Sequence, residues 1–488
     1  MSTQINRSPS GRASKGALGA CAIIFSLSPS LSRALLDAHD VEGAILAPSP
    51  ARFGGAASSH MFTALFIAAL LVTTLTRLWL SARQIRHVAA HRDAVPARFA
   101  GRVTLEAHRK AADYTIARAR LGTIDVVVSA ALLVGFTLLG GLQALDDLLG
   151  GWIGSAHPIG RQLALVGLVA LIYAAIDLPF SIYRQFGLEA RFGFNRMTPR
   201  LFVTDLVRGA ALGIALGTPL LALVLWFMAS SGELWWLYAW FAWTTFNLLL
   251  LWLFPTVIAP LFNRFVPLDD ATLKTRIERL LARCGFAAKG VFVMDGSKRS
   301  AHGNAYFTGF GSAKRIVFFD TLIERLAPDE IEAVLAHELG HFARKHVVKR
   351  IAWTFAMSLA GLAFLGWLST QGWFYAGLGT DPTIGTRDVF ALLLFFLVLP
   401  VFSFPFAPLS SLVSRRHEFE ADAYAAAHAD ADDLIRALVK LYEDNASTLT
   451  PDPLHSAFYD SHPPAAIRIG RLESLGRGAR PVLAPQGA

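Results

Sequence analysis

Residues 234–254 read LWWLYAWFAWTTFNLLLLWLF, a run without a single Asp, Glu, Lys or Arg. Wound as an α-helix it spans about 30 Å, the thickness of a bilayer's hydrocarbon core. Six more apolar runs of similar length, none with more than one charged residue, lie at about 61–80, 124–144, 163–181, 208–230, 351–369 and 389–409. The segments between them alternate in charge. Residues 81–123 hold nine Lys and Arg and 182–207 hold four, and 255–350 and the tail after 410 hold fifteen and eight more. The other connections are nearly bare: Arg161 alone in 145–162, none in 231–233, Arg387 alone in 370–387. Positive charge collects on the cytoplasmic side of membrane proteins, so the pattern predicts seven spans with the basic loops and the C-terminus inside.

The whole chain agrees. Of its 488 residues 54% are hydrophobic and 17% charged, against about 25% charged in a soluble domain. A soluble domain, a disordered chain and a fibrous repeat are excluded. The net charge of +9 is accounted for by membrane-flanking Arg, so nucleic acid is not expected as a partner. Cys21 and Cys284 make neither a disulfide framework nor a thiolate metal site, and any metal must be held by His and carboxylates.

Residues 1–60 are rich in Ser, Ala, Gly and Pro. They read as a targeting arm or as a poorly structured extension ahead of a true start at Met61. Beyond them the expected division is 61–259 for spans one to five, 260–350 for a cytoplasmic domain, 351–410 for spans six and seven, and 411–488 for that domain's C-terminal part. Within 260–350 a helix is expected from Leu273 to Cys284. Strand-like pieces follow at Val291 to Met294, Ala305 to Phe310 and Arg315 to Phe319. A helix then starts at Pro328, signalled by proline in the first turn with Asp329 and Glu330 behind it. The fold class is thus mainly α and polytopic, with a small α+β cytoplasmic domain. Asp125, Asp177 and Asn247 within the spans suggest that some helices enclose water, and Pro255 and Pro400 should interrupt theirs.

The chemistry lies on the helix from Pro328, which carries His337-Glu338-Leu339-Gly340-His341. Four residues apart, both imidazoles leave one helix face, at a spacing that suits two positions around tetrahedral zinc. Glu338 is placed to reach a water and act as general base. Gly340 costs about 1 kcal/mol inside a helix, which a close backbone approach would explain. A third ligand is sought in His417-Glu418-Phe419-Glu420-Ala421-Asp422. Glu418 and Asp422 share a helical face, so one carboxylate can bind the metal while the other holds a ligating histidine. Glu420 points elsewhere, and His417 is a rival ligand on another face. His346 lies about 140° round the helix from His341 and reads as interfacial. His302, His428 and His455 read as solvated or hydrogen-bonded surface histidines. Asn304 and Tyr306 head a strand-like run whose edge could hold an extended peptide. His462, in Ser461-His462-Pro463-Pro464, and Arg468 are candidates to polarise a carbonyl and stabilise an oxyanion.

These residues resemble an integral-membrane zinc metalloendopeptidase of the CAAX prenyl protease type, the a-factor-converting family. The likeness rests on His337 to His341 and Glu418 to Asp422, and on Lys298 to Phe307, Arg315 to Leu322 and Ser461 to Pro464. Phe254 to Asn263 and His108 to Tyr114 are family-like too. It covers about 61–475 and leaves 1–60 outside. The resemblance implies one zinc ion held by His337, His341 and Glu418, with Glu338 as base and Asp422 holding a ligand histidine. It also implies that Asn304 binds substrate backbone, and that His462 and Arg468 approach the substrate carbonyl or its carboxylate end. Seven helices would surround a water-filled chamber capped by the zinc domain. The implied reaction cleaves a peptide bond near the C-terminus of prenylated Cys-aliphatic-aliphatic-X proteins, by a monomer in the bilayer. Quality-control proteolysis without prenylated substrates is the alternative. A transporter with structural zinc is the competing class.

Overall fold

The computed structural model describes residues 54–153, 157–288, 290–308, 315–383 and 385–479. Most of the N-terminal extension, with Cys21, lies outside the described residues. Among the described residues seven helical runs are long and apolar enough to cross a membrane: Ala56–Ala90, Leu105–Phe136, Pro158–Glu189, Pro199–Ser230, Gly232–Phe262, His346–Leu368 and Arg387–His428. All seven expected spans are there, but they run well past the apolar stretches that announced them. Backbone hydrogen bonding carries a helix beyond the bilayer wherever polar side chains can face water.

The helices are α1 (Gly54–Ala90), α2 (Leu105–Phe136), α3 (Gly141–Ile153), α4 (Pro158–Ile182), α5 (Pro199–Ser230) and α6 (Trp235–Leu253). Helix α1 begins upstream of Met61. The Thr104 and Thr198 hydroxyls accept from Ala107 N and Leu201 N and so start α2 and α5, each satisfying an otherwise orphaned donor. The apolar stretch expected at 124–144 is divided. Helix α2 ends at Phe136, and Gly140, at φ +72°, turns the chain into α3. Pro255 falls in a wide π-type turn, Phe254–Ile258, which accommodates its missing N–H. Pro400 does not break its helix, α12 (Arg387–Ser403), and the chain tightens only at Phe404–Phe406, around Pro405. Asn247 donates to Trp243 O and Asp177 accepts from Ser181. Both find partners on their own helices, so neither demands a wet chamber.

A four-stranded sheet caps the bundle in the order β1-β2-β4-β3, with β1 (Phe265–Pro267), β2 (Val291–Met294), β3 (Ala305–Thr308) and β4 (Arg315–Phe319). Strands β2 and β4 run parallel, and β3 pairs antiparallel with β4 at the sheet's edge. Strand β1 was not anticipated. It is three residues long and contains a proline, too short to show alternation. Between β1 and β2, α7 (Ala271–Arg283) is capped by Asp270 and buries Leu273, Ile277, Leu280 and Leu281. The short α8 (Asp320–Arg325) follows β4.

Then come α9 (Pro328–Ala343), α10 (His346–Leu368), α11 (Gly372–Gly377), α12, α13 (Ala407–His428), α14 (Ala431–Asp444), α15 (Pro453–Tyr459) and α16 (Ala465–Ala479). Helix α9 runs almost directly into the sixth span and α13 continues the seventh. Two charged clamps fix the cap to the bundle. Arg299 grips Asp205 of α5 at 2.8 and 3.1 Å, and Arg83 of α1 grips Asp452 at 2.9 and 3.2 Å.

Candidate metal centre

Helix α9 is buried on nearly every side: Ile331 and all of Ala333 to His341 are inaccessible. Its entry is secured by Glu330, which accepts from Ala327 N and from Lys440. Across it lies α13, whose buried residues Glu418, Ala421, Asp422 and Ala425 form one helical stripe. The crossing is close enough to need glycine. A Cβ at Gly340 would stand 2.9 Å from Ala421 Cα, 3.0 Å from Ala421 O and 3.0 Å from Tyr424 Cβ.

This crossing brings His337, His341 and Glu418 together, with one potential ligand atom from each inside a 4.8 Å circle. Glu418 Oε1 lies 3.4 Å from His341 Nε2, and Glu418 Oε2 lies 3.7 Å from His337 Nε2. Asp422 Oδ1 is 2.8 Å from His337 Nδ1. An Nδ1–H donated there leaves the His337 Nε2 lone pair directed at the cluster. Arg468, on α16, grips Asp422 through Nε and Nη2, both at 2.7 Å, and its Nη1 is 3.6 Å from Glu418 Oε2. Burial and then the Arg468 charge hold the His337 imidazole below its ordinary pKa, so it is neutral and able to donate a lone pair. Burial works against the Arg468 charge, but Asp422 and Glu418 keep that guanidinium firmly protonated. Tyr442, on α14, is buried beside Arg468, and burial pushes its hydroxyl pKa up.

The charge balance of this pocket is informative. Glu338, Glu418, Asp422 and Arg468 are each at most 4% exposed. Three buried carboxyl groups thus face one buried guanidinium, an excess of acid over base. Uncompensated buried charge is strongly unfavourable, and a divalent cation offsets it. The donor set, two imidazoles and a carboxylate, suits zinc.

The other candidates sort differently. His462 Nδ1 is 2.7 Å from Glu418 Oε2, and the ring also lines a cavity of about 200 Å³ with Arg118, Tyr442, His455 and Asp460. Arg468 is 1% exposed and paired with Asp422, its Nη2 also 3.1 Å from His337 Nδ1, so it is held beside the ligand histidine. Asn304 stands at the head of edge strand β3, its side chain accepting from Ala305 N. Tyr306 is not brought to the centre. Strand alternation turns it to the far face of the sheet, against Met294 and Val317, while Ala305 and Phe307 face the core that contains α9.

His346 and His455 were misjudged from sequence, whereas His302 is the hydrogen-bonded histidine expected. His346 is buried against His341, the Nδ1 atoms 3.0 Å apart. His302 joins the cap to the bundle: its Nδ1 is 2.8 Å from Asn445 Oδ1, and its Nε2 is 3.6 Å from Glu189, which accepts from Tyr114. Contacts this distant along the chain leave no local signal. His455 lines the cavity instead of facing solvent, and burial lowers its pKa to about 4. His417 stacks on His346 with ring centroids 4.0 Å apart.

Residues 84–264 match the family described as CAAX prenyl protease N-terminal, five membrane helices, and residues 267–475 match peptidase family M48. CAAX prenyl protease 1 of Saccharomyces cerevisiae is 37% identical over 331 residues, 64% of this chain and 72% of that protein. The chain belongs to the CAAX prenyl protease family of M48 peptidases. Its homolog in Arabidopsis thaliana is 39% identical over 309 residues, 61% of this chain and 70% of that one. The crystal structure of S. mikatae Ste24p superposes with a TM-score of 0.79 at 31% identity, covering 84% of this chain and 99% of that one. This CAAX prenyl protease family member is therefore a multi-pass integral-membrane metalloprotease, and the transporter reading is set aside.

Proposed function

We propose that the chain is a zinc metalloendopeptidase of the gluzincin type, with His337, His341 and Glu418 as ligands and Glu338 as general base. The observation that carries this is the buried convergence of His337, His341 and Glu418, one potential ligand atom from each within 4.8 Å of the others. Three protein ligands leave a coordination position open, as catalytic sites do and structural zinc sites generally do not.

When bound, zinc acidifies water and polarises a carbonyl. Glu338 takes a proton from the attacking water and passes it to the departing amine. Asp422 orients His337, and Arg468 acts through Asp422 by holding it in place. His462, between Glu418 and the cavity, is positioned to donate to the developing oxyanion. The free edge of β3 offers main-chain groups to an extended peptide, with Asn304 at its head.

The site faces the cytoplasm, a reading supported by the basic loops on its side of the bundle. One chain supplies every residue of it, so it works as a monomer. The relatives' names point to C-terminally prenylated peptides as substrate. The test is to give the purified protein a prenylated C-terminal peptide and an unmodified one, with and without a zinc chelator. Chelator-sensitive cleavage of the prenylated peptide is expected. Equal cleavage of both favours quality-control proteolysis. Glu338→Gln should keep its zinc and lose turnover, and full activity in that metal-loaded variant would exclude Glu338 as the base.

A further inference from the structure

We propose that His346 and Glu420 position the metal ligand His341 through a buried hydrogen-bonded relay, an inference that rests on the metal-centre reading above.

The relay depends on a break in the helix. On a continuous helix a residue five beyond His341 would point about 140° away. Helix α9 instead ends at Ala343, and Lys345 takes a left-handed conformation, φ +55°, which L-residues such as lysine rarely adopt. That turn swings His346, the first residue of the sixth span, back under His341. Its Nδ1 lies 3.0 Å from His341 Nδ1, and its Nε2 lies 3.0 Å from Glu420 Oε2 on α13. Glu420 Oε1 accepts from Arg416 at 3.0 Å. His417 covers the His346 ring, with 15° between the planes.

Only one proton arrangement satisfies every ring nitrogen. If His341 Nε2 gives its lone pair to the metal, its Nδ1 carries hydrogen and donates to His346 Nδ1. His346 then carries its hydrogen on Nε2 and donates to Glu420. Each metal histidine is thus backed by a carboxylate from α13: His337 directly by Asp422, and His341 through His346 by Glu420. The two arms differ in setting. Asp422 and Arg468 are almost wholly inaccessible, whereas the Glu420 side chain is 31% exposed and Arg416 81%. His346 is a positioning residue: both of its ring nitrogens are engaged away from the metal.

The experiment measures metal affinity, by competition against a zinc chelator, in the full-length membrane protein. Removing such a partner usually weakens affinity about 10- to 100-fold. His346→Phe keeps the ring but removes the acceptor, and should fall in that range. His346→Gln restores an acceptor and should recover most of the loss. Glu420→Ala, on a half-exposed side chain that tolerates replacement, should weaken zinc several-fold and serves if His346→Phe does not fold. A role in packing alone would make the two His346 variants bind zinc equally. That result, or wild-type affinity in either folded His346→Phe or Glu420→Ala, overturns the relay while leaving the metal centre intact. Failure of the wild-type chain to bind zinc overturns both.

Discussion

Replacing Gly340 by alanine places a methyl carbon 2.9 Å from the Ala421 Cα and 3.0 Å from its carbonyl oxygen. Carbon atoms prefer about 3.5–4.0 Å, so α9 and α13 must part by roughly 0.6 Å or more. Neither contact can relieve itself by rotating a side chain, because both are main chain. On a free helix the change would stabilise by about 1 kcal/mol. Here overpacking, at about 1–3 kcal/mol, opposes that gain, and net destabilisation of roughly 1 kcal/mol is expected. The functional effect should be larger. Helix α9 carries His337 and His341 and α13 carries Glu418, so separating them opens the ligand triangle itself. Active constellations tolerate about 0.5 Å of displacement, and about 1 Å can cost 100-fold in rate. Peptidase activity should fall at least about tenfold, with weaker zinc retention under chelator challenge. Thermal unfolding and zinc content of one purified preparation test both halves. A Gly340→Ala protein that melts at or above the wild-type temperature and keeps its zinc would refute the argument that this crossing sets the site.

Three further outcomes are expected. Asp422→Ala leaves Arg468 buried without its main partner and should destabilise by about 3–5 kcal/mol; adding Arg468→Met should restore part of the loss, measured by unfolding in detergent. His462→Ala should lower kcat by about 100-fold or more while leaving zinc content unchanged, and unaltered turnover would remove His462 from the reaction. His455 has its folded pKa depressed to about 4 from 6.5, so the unfolded chain takes up the proton first as pH falls. Its contribution is full above pH 6.5 and erodes down to about 4, by at most about 1.4 kcal/mol per pH unit; His455→Gln should flatten the stability profile in that window.

What could be read from sequence, and what could not, follows the range of the interactions. The seven spans were legible because bilayer thickness imposes a run length on any chain that crosses it. His337, His341, Glu418 and Asp422 were legible because helical spacing of four fixes a shared face before any tertiary contact forms. Gly340 was legible as an anomaly, a costly residue inside a helix, although the partner that demands it lies far along the chain. His346 was misread because the angle was reckoned on an unbroken helix, and nothing in Arg344-Lys345 advertises a left-handed residue where glycine or asparagine would be usual. Tyr306 was misplaced by a matter of parity, since the register of a four-residue edge strand decides which face each side chain takes.

The placement of the ligands couples catalysis to the membrane fold. Helix α9 passes into the sixth span after a two-residue turn, and α13 is the continuation of the seventh. The metal triangle is therefore closed by two helices whose other ends are set in the bilayer. The seventh span is packed tightly where it begins, with Val389 to Phe395 all buried, so its end away from the metal centre is well anchored. Helix α10 also begins within the cluster, at His346. A tilt of the sixth span would then act on both sides of His341, through α9 and through the His346 ring. A shift at the membrane end of either span would change the distance between Glu418 and the two histidines.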